Sequence, residues 1–295
     1  MATLAPTTQA PARRPRDPRR IRRILWSAVA IIAALIWVFP VYWMVSSSLL
    51  PNRTLMSFIP TFFPGAETTF ANYRNVVADG SFFSALGMSV SITLIVVVCC
   101  LIFAFLAAIA ISRYKFRGRK SFVLAVLLVQ MLPAEGLFIA QYKMISSVGL
   151  LNSIIGVSVI YIAAVVPFTI WMLRGFVAGI PAELEEAAMV DGLSRPQAFM
   201  RITFPLLAPG LVASGVFAFL QAWNEFTVAL VILQSNSSQT LPLWLRGFIQ
   251  NSASREIDWG QVMASSTLVA VPVIIFFLIV QGRMTSGLVG GAVKG

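Results

Sequence analysis

Long apolar runs separated by short polar segments dominate the hydropathy pattern of this 295-residue chain. A helix needs about 20 apolar residues to cross the roughly 30 Å hydrocarbon core of a bilayer, and runs of this length recur along the sequence. They cover Ile24–Ser48, Phe83–Ile111, Ser121–Tyr142, Asn152–Leu173, Leu206–Leu233 and Val262–Gln281. The pattern therefore predicts an all-α, polytopic membrane protein with six transmembrane helices.

The polar segments divide the chain into an arm, a membrane domain and a tail. Residues 1–23 combine prolines with clustered arginines and cannot bury apolar surface, so we expect a disordered basic arm. Residues 24–281 contain the six spans, and residues 282–295 form a short tail. A patterned polar segment, residues 175–205, separates the fourth and fifth spans.

The basic residues indicate the orientation of the spans. The chain holds 22 Lys and Arg, most of them in the arm, the Arg113–Lys120 loop and the Arg174–Arg201 segment. Because cytoplasmic loops are enriched in Lys and Arg, we expect these segments and both termini to be cytoplasmic. Short basic segments beside spans do not form the continuous basic face of a nucleic-acid-binding protein, so no nucleic-acid partner is predicted.

The composition also excludes several kinds of active site. The sequence contains no histidine, which removes Ser-His catalysis, His-based zinc sites and the commonest proton relay. Its two cysteines, Cys99 and Cys100, are adjacent within the second run, where they are typical of small core residues. No catalytic or metal-binding residue is therefore predicted, and an intramembrane enzyme is the weakest functional hypothesis.

The 175–205 segment is predicted to contain two short cytoplasmic helices. Glu183 suits the start of the first helix, where an anion meets the positive end of the dipole, and Gly192 suits its end. Ser194 and Gln197 form a capping-box pattern at the start of the second helix. Small alanines on the first helix allow close approach by another protein. A docking surface fits this pattern, and a solvated amphipathic hairpin explains it equally well.

The same segment also carries a recognisable motif. Its motif positions are Glu186-Ala187-Ala188, Gly192, Ile202 and Pro205. This spacing resembles the EAA loop of permeases from ATP-binding-cassette (ABC) importers, with Phe204 where that family usually has Leu. Elsewhere the chain resembles the maltose-type second permease of the carbohydrate-uptake branch. The residues that carry this wider resemblance are Asn72-Tyr73, Trp223-Asn224, Pro272, Gly287 and the Gly291–Gly295 tail.

The resemblance implies a coupling helix that docks on a separate ATPase subunit. It assigns ATPase-coupling contacts to Glu186, Ala187, Ala188, Asp191 and Gly192. It implies a homologous second permease, two ATPase subunits or domains, and an external substrate-binding protein, all at a bacterial plasma membrane. The implied cargo is a sugar, namely a di- or oligosaccharide or a related polyol or glycerophospho compound.

This chain alone is not predicted to be an enzyme. It has no G-x-x-x-x-G-K-[ST] phosphate-binding loop, so the partner ATPase subunits are expected to bind ATP and Mg²⁺. No cofactor is expected in this chain, whose implied role is alternating access within the lipid bilayer.

Polar residues within the fifth run are candidates for the translocation pathway. Gln221, Asn224 and Glu225 share one helical face at i, i+3 and i+4, with Trp223 beside them. Amides and a carboxylate can bond to sugar hydroxyls while an aromatic ring covers C–H faces. Bonds to neighbouring helices explain the same residues, and both interpretations stay open.

The third run contains a second polar break. Gln130 and Glu135 flank Pro133, whose ring frees a backbone carbonyl, so we expect a kink that lines the pathway. Glu135 and Glu225 also permit an alternative, a proton-coupled secondary carrier whose carboxylates titrate during transport. That alternative does not explain the EAA-like loop.

Overall fold

The computed structural model describes residues 18–78, 80–252 and 257–292, and within them the chain forms helices and connecting segments without a β-strand. The first six helices are α1 (Pro18–Ser48), α2 (Asn52–Leu55), α3 (Ala71–Ala78), α4 (Ser81–Arg113), α5 (Arg119–Gln130) and α6 (Phe138–Ser147). The others are α7 (Ile154–Ala178), α8 (Glu183–Val190), α9 (Arg195–Ala198), α10 (Phe204–Asn224), α11 (Thr227–Ile232), α12 (Leu241–Ser252) and α13 (Trp259–Ala292). The predicted all-α fold is confirmed.

Five helical stretches in the described part of the chain are long and apolar enough to cross a membrane. They are α1, α4, α7, α13 and the stretch that runs from α9 through α10, which correspond to five of the six predicted runs. Helix α1 already begins within the predicted arm and α13 continues into the predicted tail. Residues 1–17 of the arm and 293–295 of the tail lie outside the described residues.

The third predicted run is not one continuous helix, so the count of six spans is approximate. Helix α5 ends before Pro133, and a 3₁₀ turn at Ala134–Leu137 leads into α6. Pro133 has no N–H to donate to the Val129 carbonyl, which would continue the helix. The Leu132 N–H donates to that carbonyl instead, at 3.2 Å, so α5 ends in a tighter turn.

The packed centre of the fold consists of α4, α7 and α10, and α4 has its most extensive contact with α7. Ala104 and Ala108 of α4 are fully buried in a cluster with residues of α7 and α10, because small side chains let helix backbones approach closely. Gly210 of α10 serves the same purpose, since a Cβ there would lie 2.5 Å from Cγ of Phe176 in α7. This packing positions both ends of the 175–205 segment.

Helix α1 lies outside this centre. Its main helical partner is α13, and none of the residues in its membrane-spanning window is buried. Large apolar side chains such as Trp37, which is 82% exposed, therefore point away from the chain.

Candidate coupling loop and translocation pathway

Helix α8 ends in a tight glycine turn. Gly192 has φ +93°, in the left-handed region that favours glycine. The Gly192 N–H donates to the Met189 carbonyl and the Leu193 N–H donates to the Ala188 carbonyl, both at 3.1 Å. These two bonds form a Schellman motif, which satisfies carbonyls that the helix end would otherwise leave unpaired. The predicted helix stop at Gly192 is confirmed.

The second half of the loop is mechanically continuous with the fifth span. The Ser194 N–H donates to Oε1 of Gln197 at 2.9 Å, as the capping-box pattern predicts, and α9 starts at the next residue. A π-helical turn at Phe199–Thr203 then joins α9 to α10 without a break. The loop and α10 therefore share one continuous helical backbone from Arg195 onward.

A three-way clamp around Glu185 ties the loop to the membrane helices. Oε1 of Glu185 lies 3.3 Å from Nη2 of Arg113, the last residue of α4. The Thr203 hydroxyl, just before α10, donates to the same oxygen at 2.6 Å. Nη2 of Arg113 also donates to the Ile180 carbonyl at 3.0 Å, ahead of α8. Both charged side chains are about 15% exposed, so solvent screens their interaction only in part.

Sequence reasoning did not select the members of this clamp. Glu185 and Glu186 are neighbours, but successive helical residues point about 100° apart and so face different surroundings. Glu185 points inward to Arg113, whereas Glu186 is exposed. The available signals were an arginine at the end of an apolar span and, far along the chain, an acidic start of the first loop helix.

The predicted coupling residues divide into exposed and buried positions. Glu186, Ala187, Asp191 and Gly192 are exposed, and Ala188 is buried against the rest of the loop. Val190, which the sequence analysis did not select, is 88% exposed and adds apolar area to the same short helix. The exposed residues form a small, partly apolar surface on the first loop helix and its glycine turn.

A cleft of about 420 Å³ opens beneath this surface, between the end of α4 and the two loop helices. Both signs of charge line it, with Arg113 and Arg195 facing Glu185 and Glu186. Apolar and aromatic side chains complete its wall, among them Tyr114. The cleft thus lies between the loop helices and the end of α4, beside the clamp at Glu185.

Glu225, which is half-buried, caps the start of α11. Helix α10 ends at Asn224, and the Glu225 backbone is extended. The Glu225 carboxylate then accepts hydrogen bonds from the Val228 N–H at 2.8 Å and the Ala229 N–H at 3.2 Å. It therefore satisfies free amides at the start of α11. The predicted fifth run is two helices joined at this carboxylate.

The other pathway candidates of the fifth run lie on different sides of α10. The Trp223 ring is only 3% exposed and stacks on Phe219, with ring centroids 5.6 Å apart. Gln221 and Asn224 are exposed, and Nδ2 of Asn224 donates to the Leu220 carbonyl at 2.9 Å. The structure therefore leaves both amides exposed but holds the Trp223 ring in the core.

The candidates of the third run lie at the break after α5. Gln130 is exposed, and its Nε2 donates to the Ala164 carbonyl of α7 at 3.4 Å. The side chain of Glu135 lies outside the described residues, although its backbone belongs to the 3₁₀ turn after Pro133.

Long apolar helices surround a packed centre, and the Glu185 clamp attaches a helical loop to them. These features define a multi-pass membrane protein whose loop is a candidate site for transmitting motion to the membrane helices. A family model described as "Binding-protein-dependent transport system inner membrane component" matches residues 101–288. The chain belongs to this family. The resemblance to permease subunits of ABC importers is thereby confirmed, and it is favoured over the proton-coupled carrier.

Individual relatives agree with the family. The chain is 40% identical to the diacetylchitobiose uptake system permease protein DasC of Streptomyces coelicolor, over 92% of this chain and 98% of that protein. It is 33% identical to the trehalose transport system permease protein SugB of Mycobacterium tuberculosis, over 93% of this chain and 98% of that protein. A chain in the crystal structure of a bacterial ABC transporter involved in alginate import shares the fold, with a TM-score of 0.75 and 24% identity. The match covers 91% of this chain and 99% of that one.

Proposed function

We propose that this chain is the permease subunit of an ABC importer that moves a di- or oligosaccharide across the plasma membrane by alternating access. The names of the relatives support the substrate class, because diacetylchitobiose and trehalose are both disaccharides. The family description supports delivery of the sugar by an external binding protein. Related polyols and glycerophospho compounds are the further substrates to test.

The chain works with partners that supply the energy and complete the pore. Two ATPase subunits or domains bind ATP and Mg²⁺, and a homologous second permease forms the other half of the pathway. The distribution of Lys and Arg supports a topology with both termini and the 175–205 loop in the cytoplasm. The 1–23 arm and the 282–295 tail then flank the membrane domain on the cytoplasmic side.

The single observation that carries the proposal is the attachment of the loop to two membrane helices. The ATPase-coupling surface consists of the exposed residues Glu186, Ala187, Asp191 and Gly192. The buried Ala188 supports it by packing against the rest of the loop. The Glu185 clamp transmits displacement to α4, and the π turn transmits it to α10. Since α10 has 21 residues, it carries this motion over about 30 Å, to the break at Glu225.

The break at the end of α10 is where a cytoplasmic displacement can change the pathway. Exposed Gln221 and Asn224 lie beside it, and Gln130 lies at the comparable break after α5. Their amides offer donors and acceptors to sugar hydroxyls. Rotation of α10 about the Glu225 cap would change which of these groups face the pathway.

The test is reconstitution of the complete transporter in vesicles, with the binding protein outside and ATP inside. We expect ATP-dependent uptake of a disaccharide and stimulation of ATP hydrolysis by binding protein loaded with that sugar. A panel of disaccharides, oligosaccharides, polyols and glycerophosphodiesters identifies the substrate. Uptake that persists without ATPase subunits and follows a proton gradient would contradict the proposal.

A further inference from the structure

A groove with a cationic rim lies between α5 and α7. Its volume is about 410 Å³, and its lining residues are Arg119, Lys120, Val123, Leu124, Leu127 and Arg174. Helix α5 begins at Arg119, while Arg174 lies in the last turns of α7. The start of α5 and the last turns of the α7 span meet here, so the rim lies near the level where α7 leaves the membrane.

The rim cations lack a carboxylate partner within the described residues, and one of them, Arg174, is held by an aromatic ring. The ion pair of Arg113 with Glu185 is the one salt bridge in that part of the chain. The Arg174 guanidinium lies 5.3 Å from the centroid of the Trp171 ring, a cation–π contact that fixes it at the groove mouth. Arg119 and Arg174 are both half-buried. Two cations from different helices thus converge on one site and need a counter-charge.

The floor of the groove is apolar. Val123, Leu124 and Leu127 follow the rim along α5, and Leu124 remains 58% exposed. The distance from Arg119 to Leu127 along the helix axis is about 12 Å at 1.5 Å per residue. The groove therefore accepts an anionic group at its mouth and a hydrocarbon chain along its floor.

We propose that this groove binds one anionic phospholipid, with its phosphate between Arg119, Lys120 and Arg174 and an acyl chain along Leu124 and Leu127. A water-soluble phosphate would leave the floor uncovered, and a zwitterionic lipid would neutralise the rim poorly. Basic pockets between membrane helices on the cytoplasmic side select anionic headgroups for this reason. The bound lipid joins α5 to α7, close to the point where α7 leads into the coupling loop.

The test measures phosphatidylglycerol bound to the complete transporter by native mass spectrometry, after release from phosphatidylcholine nanodiscs. The Arg119→Gln/Arg174→Gln double variant should bind phosphatidylglycerol about 25-fold more weakly, at about fivefold for each cation removed. Arg117→Gln is the matched control, since Arg117 belongs to the same basic loop, is exposed and does not line the groove. The control should bind the lipid as the unaltered protein does.

Competition on the unaltered transporter keeps the test independent of how well the variants assemble. Phosphatidylglycerol should displace phosphatidylcholine from the site, and glycerol phosphate, which carries the phosphate without acyl chains, should not displace phosphatidylglycerol. Equal weakening by Arg117→Gln would mean diffuse surface charge and would overturn the proposal. Equal retention of phosphatidylcholine, or displacement by glycerol phosphate, would also overturn it.

Discussion

Helices α1 and α7 are both long apolar spans, yet they occupy opposite environments in this fold. In the membrane-spanning window of α7, 44% of the residues are buried by the chain itself, whereas none is buried in that of α1. Helix α7 packs against both α4 and α10, which also contact each other, whereas the main helical contact of α1 is with α13. Lipid tails are as apolar as a protein core, so hydropathy cannot distinguish these two environments.

This difference in burial indicates different structural roles for α1 and α7. The α4–α7–α10 centre has fixed internal neighbours and holds the coupling loop through Arg113, Thr203 and the end of α7. Helix α1 has free apolar surface for lipid or another subunit. We therefore expect substitutions in the centre and the loop to impair this chain directly, and substitutions in the exposed membrane-spanning window of α1 to leave the stability of the chain unchanged.

The largest effect is expected at Gly210, where α10 packs tightly against Phe176 of α7. Gly210→Val places a Cβ 2.5 Å from Phe176, so the helices must separate and the free energy of unfolding should fall by about 3 kcal/mol. Thermal unfolding of the purified chain measures the loss. Gly175→Val is the control, because a Cβ at Gly175 meets nothing within 4 Å. Equal stability of the two variants would contradict the packing of the centre.

A smaller effect is expected at the clamp. Glu185→Gln removes the charge that holds Arg113 and weakens the bond from Thr203, at a cost of about 2 kcal/mol to the attachment of the loop. In reconstituted transporter, sugar uptake per ATP hydrolysed should fall severalfold. Glu183→Gln, which removes an exposed charge from the same helix, should behave as the unaltered protein. Full coupling in Glu185→Gln would show that the clamp transmits no motion.

The glycine turn of the loop gives a third, still smaller effect. Gly192→Val forces a β-branched residue to φ +93°, which costs about 1–2 kcal/mol locally and distorts the coupling surface. We expect the purified transporter to assemble but to hydrolyse ATP with less dependence on loaded binding protein. Gly65→Val, at an open position without a left-handed φ, provides the comparison. Unchanged stimulation in Gly192→Val would indicate that the loop is only a connector.

The smallest effect is expected on α1. Trp37→Ala removes a large side chain that is 82% exposed, so the unfolding free energy of the isolated chain should change by less than about 0.5 kcal/mol. The same thermal unfolding assay applies, with Gly210→Val as the positive reference. A loss comparable to that of Gly210→Val would mean that α1 belongs to the packed centre after all.

The apolar spans, the break at Pro133 and the ends of the two short loop helices could be predicted because their sequence signals are local. An apolar run predicts a span, Pro133 predicts a break, and Gly192 with the Ser194–Gln197 pair predicts the ends of two short helices. Each of these features depends on backbone hydrogen bonds within a few residues, so residues adjacent in the sequence determine it. The EAA-like spacing also depends only on one segment, and it pointed to the family that the comparisons confirm.

The tertiary structure alone decided which side chains meet across the fold. The clamp brings Glu185 to Arg113, and helix packing buries Trp223 while it leaves the neighbouring amides exposed. Glu225 has the polarity of a substrate ligand in the sequence, but in the fold its carboxylate caps α11. These outcomes depend on which helices become neighbours and how each is rotated about its axis. Apolar spans carry little of that information, since lipid and protein satisfy the same residues.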